Sequence, residues 1–332
     1  MRYSTVYICL VILFSGCKAF KPSANMPLFA KYFTTDERAA KIEPGQVKVT
    51  FFGTSTLLFD DGETQLLVDG FFSRPPIGKV AFGKIKSDTA LIRSLINKHQ
   101  INRLKAVFVC HSHYDHAMDA PAVCRLTSAR LYGSSSTLNV GKGQALTTNA
   151  MELYQPGKAI SVGKFVVTII NSKHTPPFKL LGKTNATDPN HPDITEPLKQ
   201  PNKADNYIEG GTYDIYIQHG NHALLVKAST NFIADALNNY PADVLFLGSA
   251  MLGLQPAEFQ NQYFAQTVLA TQAKTVVPIH WDNFTRPINK PLVALPNISD
   301  NVDSGLHFLI RKTEENKVNL KLMQAENAML LF

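Results

Sequence analysis

Ala106-Val107-Phe108-Val109-Cys110-His111-Ser112-His113-Tyr114-Asp115-His116 is an apolar run that ends in four potential metal ligands within six residues. Its first five side chains read as a buried strand. Three imidazoles and a carboxylate just past a strand end form a density that few uses other than metal binding need. His111 and His113, one residue apart, converge on one cation if the chain leaves the strand and turns, while Asp115 and His116 face a second position beside it. Only ten histidines are spread over 332 residues, so three in six positions is not a chance cluster.

Outward from this stretch the chain alternates short strands with helices. Upstream, residues 47–59 and 64–69 read as strands joined through Asp60-Asp61-Gly62, whose Asp-Gly pair supplies hairpin chemistry. Ser87 or Asp88 can cap a helix carrying Leu91, Ile92, Leu95 and Ile96 at helical spacing. Downstream, a helix is expected at 117–126, strands at 164–170, 213–217, 223–226 and 244–247, a helix at 257–270 and a strand at 275–279. Each half mixes hairpins with helices, so the expected class is α+β, a two-sheet sandwich covered by helices rather than a purely parallel α/β fold. Residues 181–206, rich in Asn, Asp, Pro, Thr and Lys, read as a long loop within the domain.

With 45% hydrophobic and 18% charged residues the chain is not a disordered polymer. The 33 basic residues exceed the 26 acidic ones by 7, but they form no run that would track a phosphate backbone, so no nucleic-acid partner is expected. Four cysteines are too few for a disulfide scaffold; Cys110 and Cys124 are the core candidates, and alternation along the strand points the Cys110 sulfur away from the ligands. Arg2, the apolar run 6–14 and Phe14-Ser15-Gly16-Cys17 read as a lipoprotein-type signal peptide over residues 1–16, with a lipid on Cys17 anchoring the protein to the membrane at a bacterial cell envelope. The alternative is an ordinary cleaved leader of a secreted or periplasmic protein. Pro22, Pro27 and Pro44-Gly45 make residues 17–46 a tether and lead-in to a domain at 47–332.

The His111-Ser112-His113-Tyr114-Asp115-His116 motif after a buried strand resembles the metallo-β-lactamase superfamily of metal-dependent hydrolases. His174, in Lys173-His174-Thr175-Pro176 after a strand, resembles the family's third histidine, and His280, in Val276-Val277-Pro278-Ile279-His280-Trp281-Asp282, the last. Phe52-Gly53-Thr54-Ser55-Thr56 and Leu66-Leu67-Val68-Asp69 are similar to the branch holding the ascorbate-phosphate lactonases and the N-acyl-phosphatidylethanolamine phospholipase D type enzymes. The resemblance covers residues 47–291. It implies a four-layer αββα sandwich, a metal set of His111, His113, His174, Asp115, His116 and His280, and one or two Zn2+ ions, with Mn2+ as an alternative. It also implies hydrolysis of a phosphodiester, lactone or amide in a small-molecule or lipid substrate.

One landmark departs from the family. Its bridging aspartate corresponds to Ser229 in Leu225-Val226-Lys227-Ala228-Ser229-Thr230, and neither Asp235 nor Asp243 is a convincing replacement. Either one ion sits at His111, His113 and His174, or a second, weaker one joins it at Asp115, His116 and His280. The alternative function is therefore a metal-binding protein with little turnover. Asp115 is the catalytic candidate, to orient or deprotonate water; His116 or His280 would act in acid-base chemistry only without a second ion. Asp69 either steadies a ligand imidazole or forms a turn before Gly70. Tyr114 and Trp281 are expected to line the cleft, Phe178 and Tyr207 the core.

Overall fold

The computed structural model describes residues 18–177, 179–180, 183–184 and 193–332. The expected signal peptide, Cys17, Phe178 and part of the 181–206 loop lie outside the described residues. The first sheet contains β1 (Lys48–Phe51), β2 (Leu57–Asp60), β3 (Gln65–Val68), β4 (Leu104–Phe108), β5 (Arg130–Gly133) and β6 (Met151–Leu153), with β16 (Ala328–Leu330) on the outer edge of β1. The second contains β7 (Ala159–Val162), β8 (Phe165–Asn171), β11 (Tyr213–His219), β12 (His222–Lys227), β13 (Val244–Gly248), β14 (Thr275–Ile279) and β15 (Asn319–Leu320). A two-strand hairpin, β9 (Lys179–Leu180) with β10 (Lys183–Thr184), stands apart from both.

Each sheet is antiparallel in its first half and parallel in its second: β3-β4-β5-β6 and β12-β13-β14-β15 run parallel. Parallel neighbours need crossovers, and the helices supply them. In chain order these are α1 (Ile77–Phe82), α2 (Thr89–Lys98), α3 (Tyr114–Ala117), α4 (Ala120–Thr127), α5 (Ser135–Gly143), α6 (Ala257–Phe264) and α7 (Val302–Glu315). Asp88 caps α2, accepting from the Leu91 amide at 3.0 Å.

Side-chain alternation sorts the apolar residues into three layers. Leu66, Val68, Phe108, Cys110 and Phe246 point between the sheets, with Phe51, Phe59, Phe165 and Trp281. Leu67, Val107 and Val109 turn outward to Ile92, Leu95 and Val123 of the helices on the first sheet. Leu245 and Leu247 turn outward to Phe264, Val268 and Leu309 on the second. Three apolar layers make four structural ones, the expected αββα sandwich.

Three expected elements differ in detail. Residues 47–59 are not one strand: a tight turn at 52–56 splits them into β1 and β2, closed by the Thr56 amide on the Gly53 carbonyl at 3.0 Å. Gly53 takes φ +89°, and a Cβ there would collide with the Arg74 guanidinium. The helix at 117–126 is two, α3 and α4. The helix at 257–270 ends as α-helix at Phe264 and continues as a π-helical turn, Ala265–Leu269. Cys110 and Cys124 are both buried free thiols.

Candidate metal centre

All the candidate ligands gather along one edge, where the parallel strands of both sheets end. Asp69 follows β3 and His111 follows β4; His174 lies beyond the end of β8, Ser229 beyond β12, and His280 immediately after β14. The backbone turns sharply to bring them in. Thr54, Asp69 and His280 all adopt left-handed φ, at +54°, +59° and +60°, a conformation uncommon for non-glycine residues. The His280 amide donates to the Thr54 carbonyl at 2.7 Å, locking the split hairpin of the first sheet to the ligand-bearing end of the second.

Two triads result: His111, His113 and His174, and Asp115, His116 and His280, with the ligand atoms of each within 4.8 Å of one another. In the first, the ring centroids stand 4.9, 4.7 and 4.8 Å apart with interplanar angles of 85°, 83° and 85°, a three-bladed arrangement with near-equal sides. In the second, His280 Nε2 lies 3.3 Å from His116 Nε2 and 3.3 Å from an Asp115 oxygen, which is 3.7 Å from His116 Nε2. Donors about 2.0–2.1 Å from a tetrahedral ion stand about 3.3 Å from each other, so these spacings suit zinc-like coordination. The two sets adjoin, since the His111 and His116 rings are 3.8 Å apart.

The electrostatics fit a cation. His111 is buried, and neither ring nitrogen has a hydrogen-bond partner; the buried Nδ1 of His280 has none either. Burial and the surrounding imidazoles hold His111 well below its usual pKa, and burial with His113 and His116 does the same for His174, leaving both as neutral donors. Burial opposes charge on Asp115, but His116 and His280 hold its carboxyl far below the ordinary range, so it is ionised. Asp69, open to two readings in sequence, takes the first: its Oδ2 accepts from His116 Nδ1 at 2.8 Å, and its Oδ1 from the Cys110 amide at 2.8 Å. That bond fixes the tautomer of His116 and turns Nε2 toward the triad. A bond from the Ser55 hydroxyl steadies the same carboxylate oxygen.

Some expected neighbours lie elsewhere. Trp281 is fully buried between the sheets and does not line the cleft. Phe284 takes that place, its ring 5.4 Å from His280 and 6.2 Å from Tyr114, which also packs on Phe71. Tyr207 is buried, as expected. Asp235 is exposed, and Asp243 pairs with Lys274 at the opposite end of β13, so neither joins the triads. Ser229 is buried with its hydroxyl unpartnered; the next amide, of Thr230, donates to Thr175 Oγ1 at 3.1 Å, and Asn231 Nδ2 to the His174 carbonyl at 2.7 Å. Sequence reasoning missed Asp282, whose buried ion pair with Arg74 also takes the Thr54 amide at 2.7 Å; its place two residues after His280 was the available signal.

A two-sheet αββα sandwich whose strand ends carry a three-histidine set beside a set of two histidines and an aspartate defines a class of proteins with His and Asp groups able to bind a metal. Residues 49–204 match the family model of the metallo-beta-lactamase superfamily. A UPF0173 metal-dependent hydrolase of Heliobacterium modesticaldum is 31% identical over 86 residues, 26% of this chain and 29% of that one. Another, from Christiangramia forsetii, is 27% identical over 134 residues, 40% of this chain and 50% of that one. The matches thus span half the relatives' lengths or less. The structure of Igni18, a metallo hydrolase from Ignicoccus hospitalis, shares the fold with a TM-score of 0.54 at 14% identity, over 86% of this chain and 99% of that one.

Proposed function

We propose that the chain is a metal-dependent hydrolase that directs water at an ester-type bond, a phosphodiester, lactone or amide, and that it works at the bacterial cell envelope, held by a lipid on Cys17. The pair of triads carries this reading, and the names of the two relatives support it. His111, His113 and His174 would hold one ion and Asp115, His116 and His280 a second, zinc being favoured by the nitrogen-rich sets and Mn2+ the alternative. A bound zinc ion polarises a substrate oxygen and lowers the pKa of water from 15.7 to about 7.

The chain's own residues supply the rest. His113 and His174 are partly exposed whereas the second triad is buried, so substrate approaches from the first. The ionised Asp115 carboxylate, 3.3 Å from His280 Nε2, orients the attacking water. Burial keeps Tyr114 protonated, and its ring with Phe284 gives the substrate an apolar wall.

His113→Ala is expected to abolish both retained metal, measured by elemental analysis of protein purified without added metal, and hydrolysis across a panel of lipid phosphodiesters, lactones and lactams assayed with zinc and with manganese. Hydrolysis that survives the change overturns the proposal. A second reading, metal binding with little turnover, rests on the neutral Ser229; metal retention with no turnover on any of the panel would favour it.

A further inference from the structure

Helix α1 (Ile77–Phe82) has no buried residue. Ile77 is 57% exposed and Phe82 94%, the most exposed of the large apolar side chains in the described residues. Its base is nonetheless held firmly. Arg74 is locked to Asp282, and the buried Asp119 carboxylate accepts from the Phe72 amide at 2.8 Å, the Ser73 amide at 2.6 Å and the Ser73 hydroxyl at 2.9 Å. On the return side, Ile85 exchanges both backbone hydrogen bonds with Asn202, at 2.7 and 3.0 Å. Between these clamps the chain extends an apolar tip from a rigid base.

The charge within this segment is of one sign. No acidic residue occurs between Gly70 and Ser87, and Lys79, Lys84 and Lys86 are exposed there. Aromatic and aliphatic side chains ringed by lysines suit the interface of an anionic bilayer, where rings enter the headgroup region and each lysine meets a negative surface. The location agrees. Arg74 donates to the Asn283 carbonyl at 3.0 Å, on one arm of the 281–298 excursion. The other arm binds the start of the described chain: the Ser23 amide donates to the Leu295 carbonyl at 2.9 Å, the Asn297 amide to the Lys21 carbonyl at 2.9 Å and the Ile298 amide to the Ala19 carbonyl at 2.8 Å. The α1 tip, the metal centre and the residues that follow Cys17 are therefore connected through one excursion.

We propose that α1 is a membrane-contact element that docks on an anionic lipid surface through Phe82, Ile77, Lys79, Lys84 and Lys86, turning the mouth of the metal centre toward the bilayer. It deepens the envelope reading and rests on it. A lipid on Cys17 would hold the chain at the membrane, and α1 would set its orientation there.

The test uses the full chain with Cys9→Ser and Cys17→Ser, leaving two buried thiols, and an environment-sensitive fluorophore on Phe82→Cys. A control carries the label on Glu315→Cys, at the far end of α7. Each is mixed with phosphatidylcholine vesicles with or without phosphatidylglycerol and assayed by flotation and emission. The label at 82 is expected to shift to the blue only on anionic vesicles, that at 315 not at all, and replacing Lys79, Lys84 and Lys86 by Gln should weaken the response about fivefold per lysine. Chain that floats while the label at 82 stays as wet as at 315 overturns the α1 proposal and leaves the envelope reading. An equal response on pure phosphatidylcholine overturns the choice of an anionic surface. Chain that does not float on either vesicle overturns the α1 proposal and leaves the envelope reading, which rests on the lipid that Cys17→Ser removes.

Discussion

Asp69 sits behind His116 and governs what that histidine offers a cation. A carboxylate can only accept, so His116 Nδ1 must donate to it and Nε2 is left as a directed lone pair. Asp69→Asn keeps the size but removes the charge and permits the opposite tautomer. It should lower metal affinity about 10–100-fold in a chelator competition while the fold stays intact; an unchanged affinity would mean that His116 is not a ligand. Ser229 poses the complementary question. Along the strand ends it falls between His174 of one triad and His280 of the other, and the six candidate ligands carry one negative charge, on Asp115. A pair of divalent ions would leave that buried site strongly positive. Ser229→Asp supplies a carboxylate and should raise the metal content toward two ions per chain by elemental analysis. No change would show that the 229 turn is not the bridging position.

At the scale of elements, the turn between β15 and β16 closes the edge of the first sheet through one carboxylate. Glu326 pairs with Lys98 and with His99 Nε2, the latter at 2.7 Å, so that the turn grips the C-terminal end of α2. The His99 hydrogen bond, with Lys98 and against partial burial, holds Glu326 down to about 2 from an ordinary 4.5. The folded carboxyl is the stronger acid, so its contribution is fully present above pH 4.5 and lost as pH falls from 4.5 toward 2. With Lys98 half open to solvent the loss is about 1 kcal/mol. Denaturant melts of Glu326→Gln should show lower stability than wild type at pH 6 and a gap that narrows toward pH 2; a gap constant with pH would show that the charge contributes nothing. This contact was not legible in the sequence, because α7 and β16 follow the last landmark, His280, and carry none of their own. The motif at 111–116 was legible because strand and ligands are contiguous, and α2 because its apolar spacing and Asp88 cap agree. The turn at 52–56 was hidden for a physical reason. Residues 49–59 are buried on both faces, so alternation is erased and Gly53 alone marks the break. Trp281 misled by adjacency: next to His280 in sequence, its ring points into the inter-sheet layer.

The whole molecule is organised so that neither sheet owns the candidate centre. His111, His113, Asp115 and His116 come from the end of β4 in the first sheet, His174 and His280 from β8 and β14 in the second. A metal held by either triad would thus clamp two layers already joined by the apolar interface of Phe59, Phe108, Phe165 and Phe246 and by the His280–Thr54 hydrogen bond. Ligand bound to the native state alone stabilises by about 2.7 kcal/mol at a hundredfold excess over Kd. With an unfolding entropy of about 2.1 cal/mol/K per residue over roughly 300 residues, that corresponds to about 4 °C. Chelation should lower Tm by at least this amount, readdition of zinc should restore it, and both sheets should melt in one transition, since the clamp joins them rather than stabilising either alone. If chelation strips the metal and leaves Tm unchanged, the ion is not bound across the two sheets, and the ligand set drawn from both would have to be abandoned.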